Sequence, residues 1–351
     1  MTKLKIAVAG AGLIGKTHLK LINESNECEL TAIVDPSPQA AELAQQYNVP
    51  LFASLNALFD EAKPDGIILA TPNKLHAEQA MQCVNEGVPA IVEKPVTQTI
   101  EEGFALFKEA EKHGSKILVG HHRAYSPILE TAKQVIESER FGNPVAAIGS
   151  AIFYKPDFYF DEGPWRTQKG GGPILINMIH EIGNLRYLLG EIVGVQAMSS
   201  NVNRQFEVED TTVMTMHFAS GALGTFVLSD TACSGRSWEQ TSLENKSYAS
   251  YGDEDCYHIA GTNGSLSIPT MRMKFHDGNE EKSWWKPLAL DTVELEREDP
   301  LALQLTHFCA LIRGEAEPRV SIKDGLQNLL VIDAIVEASE SKNYVEVRQV
   351  A

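Results

Sequence analysis

Three groups of residues in this chain have types and spacings suited to chemistry. The first is Gly10-x-Gly12-x-x-Gly15, which follows the apolar run Ile6-Ala7-Val8-Ala9 and opens a helix-like segment. In this spacing the first glycine permits a tight turn. The second lets the backbone approach a pyrophosphate, and the third lets helix and strand pack closely. Free amides and the dipole at the helix N-terminus would then favour a bound anion. The loop from Gly10 to Gly15, with Leu13 and Ile14, is therefore a candidate dinucleotide contact. Asp35 stands 20 residues after Gly15, at the end of a second strand, where an acid accepts hydrogen bonds from ribose hydroxyls. A carboxylate there repels a ribose phosphate, and no arginine precedes Arg123. The pattern favours NAD over NADP. Asp35-Pro36 also reads as a plain turn opener.

The second group is Glu93-Lys94-Pro95, after the apolar run 90–92. A lysine at the carboxyl end of a sheet strand points into a ligand cleft. Its charge stabilises the alkoxide character that develops as hydride leaves a carbinol carbon. The alternative is a surface lysine paired with Glu93. The third group lies after Gly170-Gly171-Gly172-Pro173, where an apolar helix carries Asn177, His180, Glu181 and Asn184 at i, i+3, i+4 and i+7. These predict one polar stripe, lining a wet cavity or facing solvent. A histidine there can take a hydroxyl proton near neutral pH.

The elements that hold these groups alternate over the first 120 residues. Strand-like runs at 6–9, 30–34, 66–70, 90–92 and 116–120 alternate with helical segments such as 37–47, 76–86 and 99–113. That alternation predicts a parallel sheet covered on both faces, with ligands at the carboxyl ends of the strands. Those ends carry Gly10, Asp35, Thr71-Pro72-Asn73, Glu93-Lys94-Pro95 and Gly120-His121-His122. Beyond about residue 122, period-two runs at 145–153, 193–199, 211–218, 222–229, 257–259 and 265–268 predict a mostly antiparallel sheet with one face free to pack. Helices near 301–312 and 322–339 close it, and the polar stretch 234–255, with Trp238, reads as a long loop. The expected fold is α/β, a Rossmann domain over 1–122 and an α+β domain with an open sheet over 123–351.

Composition bounds the function. The 351 residues suffice for two domains with real cores. A net charge of −17, without long acidic blocks, argues against nucleic acid and against an anionic membrane surface. No apolar run reaches membrane-span length. The first residues run straight into a strand, which predicts no signal peptide and a cytoplasmic protein. Five scattered cysteines fit reduced thiols, and no metal pattern is present.

The chain resembles the glucose–fructose oxidoreductase, inositol dehydrogenase and rhizopine-catabolism (Gfo/Idh/MocA) family over essentially its whole length. The resemblance rests on GAGLIG, ATPNKLH at 70–76, VEKPV at 92–96, Trp165-Arg166, GGGPILINMIHEIGNLRYLLG at 170–190 and GTNGSL at 261–266. It implies that Lys94 acts beside a nicotinamide, that Pro95 follows a cis peptide, and that Asn73 and His76 contact the nicotinamide ribose and the cleft wall. Thr71, Pro72 and Glu93 fall in the same cofactor-binding set. Trp165 and Arg166 would clamp near the cofactor. His122, Arg123, Lys155, Tyr159, Asn177 and Trp238 would bind substrate with Lys94 and His180. One departure matters. Many members carry aspartates four residues before and three after this histidine, where this chain has Ile176 and Gly183. The proton acceptor is then His180 or Lys94. The expected activity is oxidation, by NAD, of a secondary alcohol of a sugar, cyclitol or related polar ring compound, or the reverse. The alternatives are a cis-dihydrodiol dehydrogenase, an imine reductase, or a non-catalytic NAD-binding sensor. The expected partner, besides a small polar substrate, is a second copy in a homodimer or homotetramer, packed through the free sheet face.

Overall fold

A computed structural model describes residues 2–278 and 281–350. The chain divides into two compact units, one of residues 2–124, 300–329 and Val350, the other of 125–299 and 330–349. The junction after Ala124 lies close to the boundary expected at 122. The stretch 300–329, read from sequence as part of the second domain, instead clusters with the first. The helix Pro300–Arg313 buries Phe308, Cys309 and Leu311. It is tied to that unit by Arg313 on Glu27, at 2.6 Å, and by the Lys116 ammonium on the Leu311 carbonyl, at 2.9 Å. Apolar periodicity reveals such a helix but not which sheet it covers.

The first unit runs β1 (Leu4–Ala9), α1 (Leu13–Glu24), β2 (Cys28–Val34), α2 (Ala40–Tyr47), β3 (Leu51–Phe52), α3 (Leu55–Glu61), β4 (Gly66–Leu69), α4 (His76–Glu86), β5 (Ala90–Val92), α5 (Ile100–His113) and β6 (Ile117–Val119). All strand pairs are parallel, in the order β3-β2-β1-β4-β5-β6. That is the order of a dinucleotide-binding sheet. Continuous burial along residues 6–9 of β1 and along β4, β5 and β6 explains why these stretches read as unbroken apolar runs. α5 begins in a full capping box between Thr99 and Glu102. β3 went unseen in the sequence because a two-residue strand carries no periodicity, and α3 because its 7 residues show too little of the helical period.

The second unit contains α6 (Pro127–Ile136), β7 (Pro144–Ile152), α7 (Asp157–Asp161), α8 (Ile179–Leu189), β8 (Ile192–Ser200), β9 (Thr211–Phe218), β10 (Leu223–Ser229), α9 (Trp238–Thr241), β11 (Tyr257–Gly261), β12 (Gly264–Ile268), β13 (Arg272–Phe275), β14 (Ala289–Thr292) and β15 (Val345–Glu346). Its nine-stranded sheet has the order β14-β13-β12-β11-β7-β10-β9-β8-β15. Only β7–β10 is a parallel pair, so the sheet is mixed and mostly antiparallel. One face joins α6 and α8 in a core that includes Met178, Ile182, Leu185, Met214, Met216 and Phe226. The other leaves Ile148, Met198, Val213, Leu223 and Val227 exposed. No helix among the described residues is long and apolar enough to cross a membrane.

Candidate active site

The cofactor half lies in the first unit. Gly10 adopts a φ of +93°, and a Cβ there would lie 2.4 Å from the Ala70 carbonyl oxygen. A Cβ on Gly15 would lie 2.0 Å from the Gly10 carbonyl oxygen. Loop and helix therefore approach each other as the motif requires. A Cβ on Gly12 would meet nothing within 4 Å, and α1 has no side-chain cap on its first amides. Open space above uncapped amides fits a pyrophosphate. Leu13 is 88% exposed beside it, and Ile14 is half-buried. At the end of β2, Asp35 accepts the Ala11 amide on Oδ2 and the Ser37 amide on Oδ1, each at 2.8 Å. Burial pushes its carboxyl up, but bonds from the Ser37 side chain and from the Ala11 and Ser37 amides outweigh that and hold it below the usual range. These residues fit NAD: an anion cradle, and a carboxylate with lone pairs left for ribose hydroxyls.

Thr71, Pro72 and Asn73 follow β4, with the Thr71 hydroxyl on Gln79 Oε1 at 2.6 Å. Lys94 follows β5, half-buried, and its peptide with Pro95 is cis. Two residues assigned to cofactor contact take other positions. His76 is fully buried, with Nδ1 2.7 Å from the Pro95 carbonyl and Nε2 2.9 Å from the Thr71 carbonyl. Its ring braces two loops and presents no face to a ligand. Glu93 is also buried, and its Oε1 is 2.9 Å from His18 Nε2 on α1. Burial pushes the Glu93 carboxyl up, but the His18 bond and the positive charges of His18, His122 and Lys94 prevail and hold it low. After β6, His122 is half-buried and Arg123 is buried, which removes most of Arg123 from reach of substrate.

Most of the residues expected to bind substrate lie in the second unit. Lys155, just after β7, is buried, with its ammonium 2.8 Å from Asn177 Oδ1 and 3.6 Å from Asp230 Oδ2. It lies over the rings of Tyr159, at 4.9 Å, and Phe153, at 5.6 Å. Arg166 stacks on Tyr159 at 3.9 Å, beside a half-exposed Trp165. Burial pushes the Tyr159 phenol up, with Arg166 opposing and Asp230 adding to the rise. Arg204 fixes Asp230 through Nε at 2.9 Å and the Lys155 carbonyl at 2.7 Å. Burial raises the Asp230 carboxyl against the pull of Lys155 and Arg204. The Glu209 carboxyl accepts the Ile174 amide at 2.7 Å and is raised to about 7, chiefly by burial. Sequence reasoning missed Arg204, Glu209 and Asp230, which lie in loops or at strand ends and carry no motif of their own.

The polar stripe on the glycine-led helix does not form as expected. Residues Ile174–Met178 make a π turn before α8, and its extra residue breaks the 3.6 period between Asn177 and His180. Asn177 turns to Lys155, while Glu181 and Asn184 both bond the Tyr257 hydroxyl in the core, Asn184 at 2.9 Å. His180 is buried at 8% exposure. Trp238, expected to bind substrate, is a core residue at 1% exposure. Its indole N–H donates to Glu244 at 3.0 Å, and its ring lies 5.8 Å from that of Tyr257.

A parallel dinucleotide-binding unit followed by a mostly antiparallel sheet unit defines a class of two-domain oxidoreductases. Residues 4–121 match the oxidoreductase family with an NAD-binding Rossmann fold, and residues 129–267 match the GFO/IDH/MocA C-terminal domain. The chain belongs to the Gfo/Idh/MocA family. It is 24% identical over 346 residues to inositol 2-dehydrogenase of Rhizobium meliloti (strain 1021), covering 98% of this chain and 99% of that one. It is 26% identical over 340 residues to scyllo-inositol 2-dehydrogenase (NAD(+)) of Bacillus subtilis (strain 168), covering 94% and 92%. Among solved structures, the WlbA dehydrogenase from Bordetella pertussis, in complex with NADH and UDP-GlcNAcA, superimposes with a TM-score of 0.80 at 22% identity, covering 99% and 100%.

Proposed function

We propose that this protein is an NAD-dependent dehydrogenase that oxidises a secondary alcohol of a sugar, cyclitol or related polar ring compound to a ketone, or reduces the ketone. The observation that carries the reading is Lys94 at the carboxyl end of β5, in the same unit as the open glycine loop and Asp35. When bound, NAD supplies a hydride acceptor at nicotinamide C4. The Lys94 ammonium polarises the substrate C–O bond and stabilises negative charge on that oxygen as hydride leaves carbon. The hydroxyl proton goes to His180, or to Lys94 where its amine enters the step neutral and becomes the stabilising ammonium on taking that proton, and the products are the ketone, NADH and the protonated base. Lys155 and Asn177 bind substrate hydroxyl or carboxylate groups, and Tyr159 walls that site. Relatives named for inositol oxidation support the polyol class. Asp35 supports NAD over NADP. The apolar positions on the free sheet face support a homodimer or homotetramer, and a monomer by light scattering would refute it.

A second reading, a non-catalytic NAD-binding sensor, draws on Ile176 and Gly183, at positions where the family resemblance leads one to expect aspartates. The test is NADH formation with a panel of inositols, sugars and sugar acids. Turnover supports the dehydrogenase, and tight NADH binding with no turnover supports the sensor.

A further inference from the structure

We infer that His18 and His76 are positioning residues that hold the main chain on either side of Lys94. The inference rests on the role proposed for Lys94. On the N-terminal side, His18 Nε2 lies 2.9 Å from Glu93 Oε1, and both side chains are at least nine-tenths buried. The other carboxylate oxygen, Oε2, lies 3.3 Å from the Lys94 amide and accepts from it. Glu93 packs closely on Gly120, where a methyl group would lie 2.9 Å from its Cα, its carboxyl carbon and Oε2. On the C-terminal side, the His76 ring spans the Pro95 and Thr71 carbonyls. Carbonyls only accept, so the ring is the donor in either contact. A neutral ring bonds one carbonyl and a protonated ring bonds both.

The placement is not explained by packing alone. The buried faces of α1 and α4 otherwise consist of small or apolar residues, among them Leu19, Ile22, Ala80, Cys83 and Val84. A buried imidazole costs desolvation unless it is hydrogen-bonded. Here both imidazoles bond to residues that adjoin the same lysine. Each also rises from a cofactor-side element. His18 is three residues beyond Gly15, on the helix the glycine loop opens, and His76 leads the helix that follows Thr71-Pro72-Asn73. The two histidines thus couple the cofactor loops to the backbone of Lys94. Misplacing a reacting group by about 1 Å can cost on the order of 100-fold in rate.

The test compares His18→Leu and His76→Phe with His18→Gln, His76→Gln and Lys94→Ala. Folding is checked by thermal melting and by NADH fluorescence. The substrate-independent readout is the acetylation rate of Lys94 by acetic anhydride, measured by peptide mass spectrometry against exposed Lys20 in the same digest. The apolar variants are expected to change that ratio at least threefold with NADH affinity nearly unchanged, and the glutamine variants to restore part of it. With any panel substrate that turns over, kcat should fall at least tenfold and KM should change less. An unchanged ratio and kcat in folded apolar variants would overturn the inference. If those variants do not fold, His18→Asn and His76→Asn, polar but too short to reach, decide by the same ratio. Lys94→Ala separates the two claims. Wild-type turnover in that variant refutes the proposed role of Lys94, while the acetylation ratio still reports whether the histidines hold it.

Discussion

Asp35 reaches back to the glycine loop: its Oδ2 accepts the Ala11 amide at 2.8 Å, while Oδ1 accepts the Ser37 amide at the same distance. One carboxylate thus orders the anion loop and stands where ribose hydroxyls are expected. Removing it should do two things. Asp35→Ala should weaken NADH at least tenfold and narrow the preference over NADPH, since the repelling charge is gone. Fluorescence titration with both cofactors checks this. Equal losses for both would assign Asp35 to loop order alone.

The close approach of loop and helix gives a second expectation. Gly15→Ala places a methyl group 2.0 Å from the Gly10 carbonyl oxygen. That oxygen is backbone and cannot swing aside, so the loop must move. NADH binding should be lost or weakened by about 100-fold, with a lower melting temperature. Wild-type affinity in this variant would show that the loop has slack.

Glu209 gives a pH dependence. Its unfolded carboxyl titrates near 4.5, and its folded one is raised to about 7 by burial. Between those values the folded state binds more protons. Glu209 therefore stabilises fully below about 4.5, and that contribution is lost as pH rises through 7. At about 1.4 kcal/mol per pKa unit, the loss is about 3 to 4 kcal/mol at most. Glu209→Gln, which keeps an acceptor for the Ile174 amide, should melt with wild type at pH 5 and a few degrees above it at pH 8. Identical melting curves at both pH values would exclude the effect.

Lys155 and Asn177 give an expectation specific to substrate. Lys155→Ala should raise KM at least tenfold and leave NADH affinity within about twofold. Asn177→Ala should act in the same direction but less. A kcat effect with unchanged KM would move Lys155 from binding to chemistry. Because Lys155 also sits 3.6 Å from buried Asp230, the variant leaves that acid short of a partner. Some loss of stability should accompany the change.

The first unit was legible because its signals are local. Buried parallel strands give unbroken apolar runs, and the glycine spacing and Asp35 mark the loop ends directly. The second sheet was legible as alternation through β12. The edge strand β14, with no fully buried position, and the four-residue β13 beside it were missed, the first because little of it is buried and the second because four residues carry too short an alternation. The site was harder. The π turn after Pro173 gave no sequence signal, so Glu181 and Asn184 were placed on a wet stripe when they bond Tyr257 in the core. Trp238 looked like a loop aromatic because the stretch around it is polar. His18 and Glu93 are 75 residues apart, and only folding brings them together.

The central claim is tested most directly by NADH formation from inositols, sugars, sugar acids and ring dihydrodiols, each with NAD and with NADP, in wild type and Lys94→Ala. The expected result is turnover by wild type that prefers NAD and falls at least about 100-fold in Lys94→Ala, with NADH binding retained. Undiminished turnover in Lys94→Ala would contradict the role given to that lysine. Silence across the panel, with NADH bound tightly, would contradict the dehydrogenase reading in favour of the sensor.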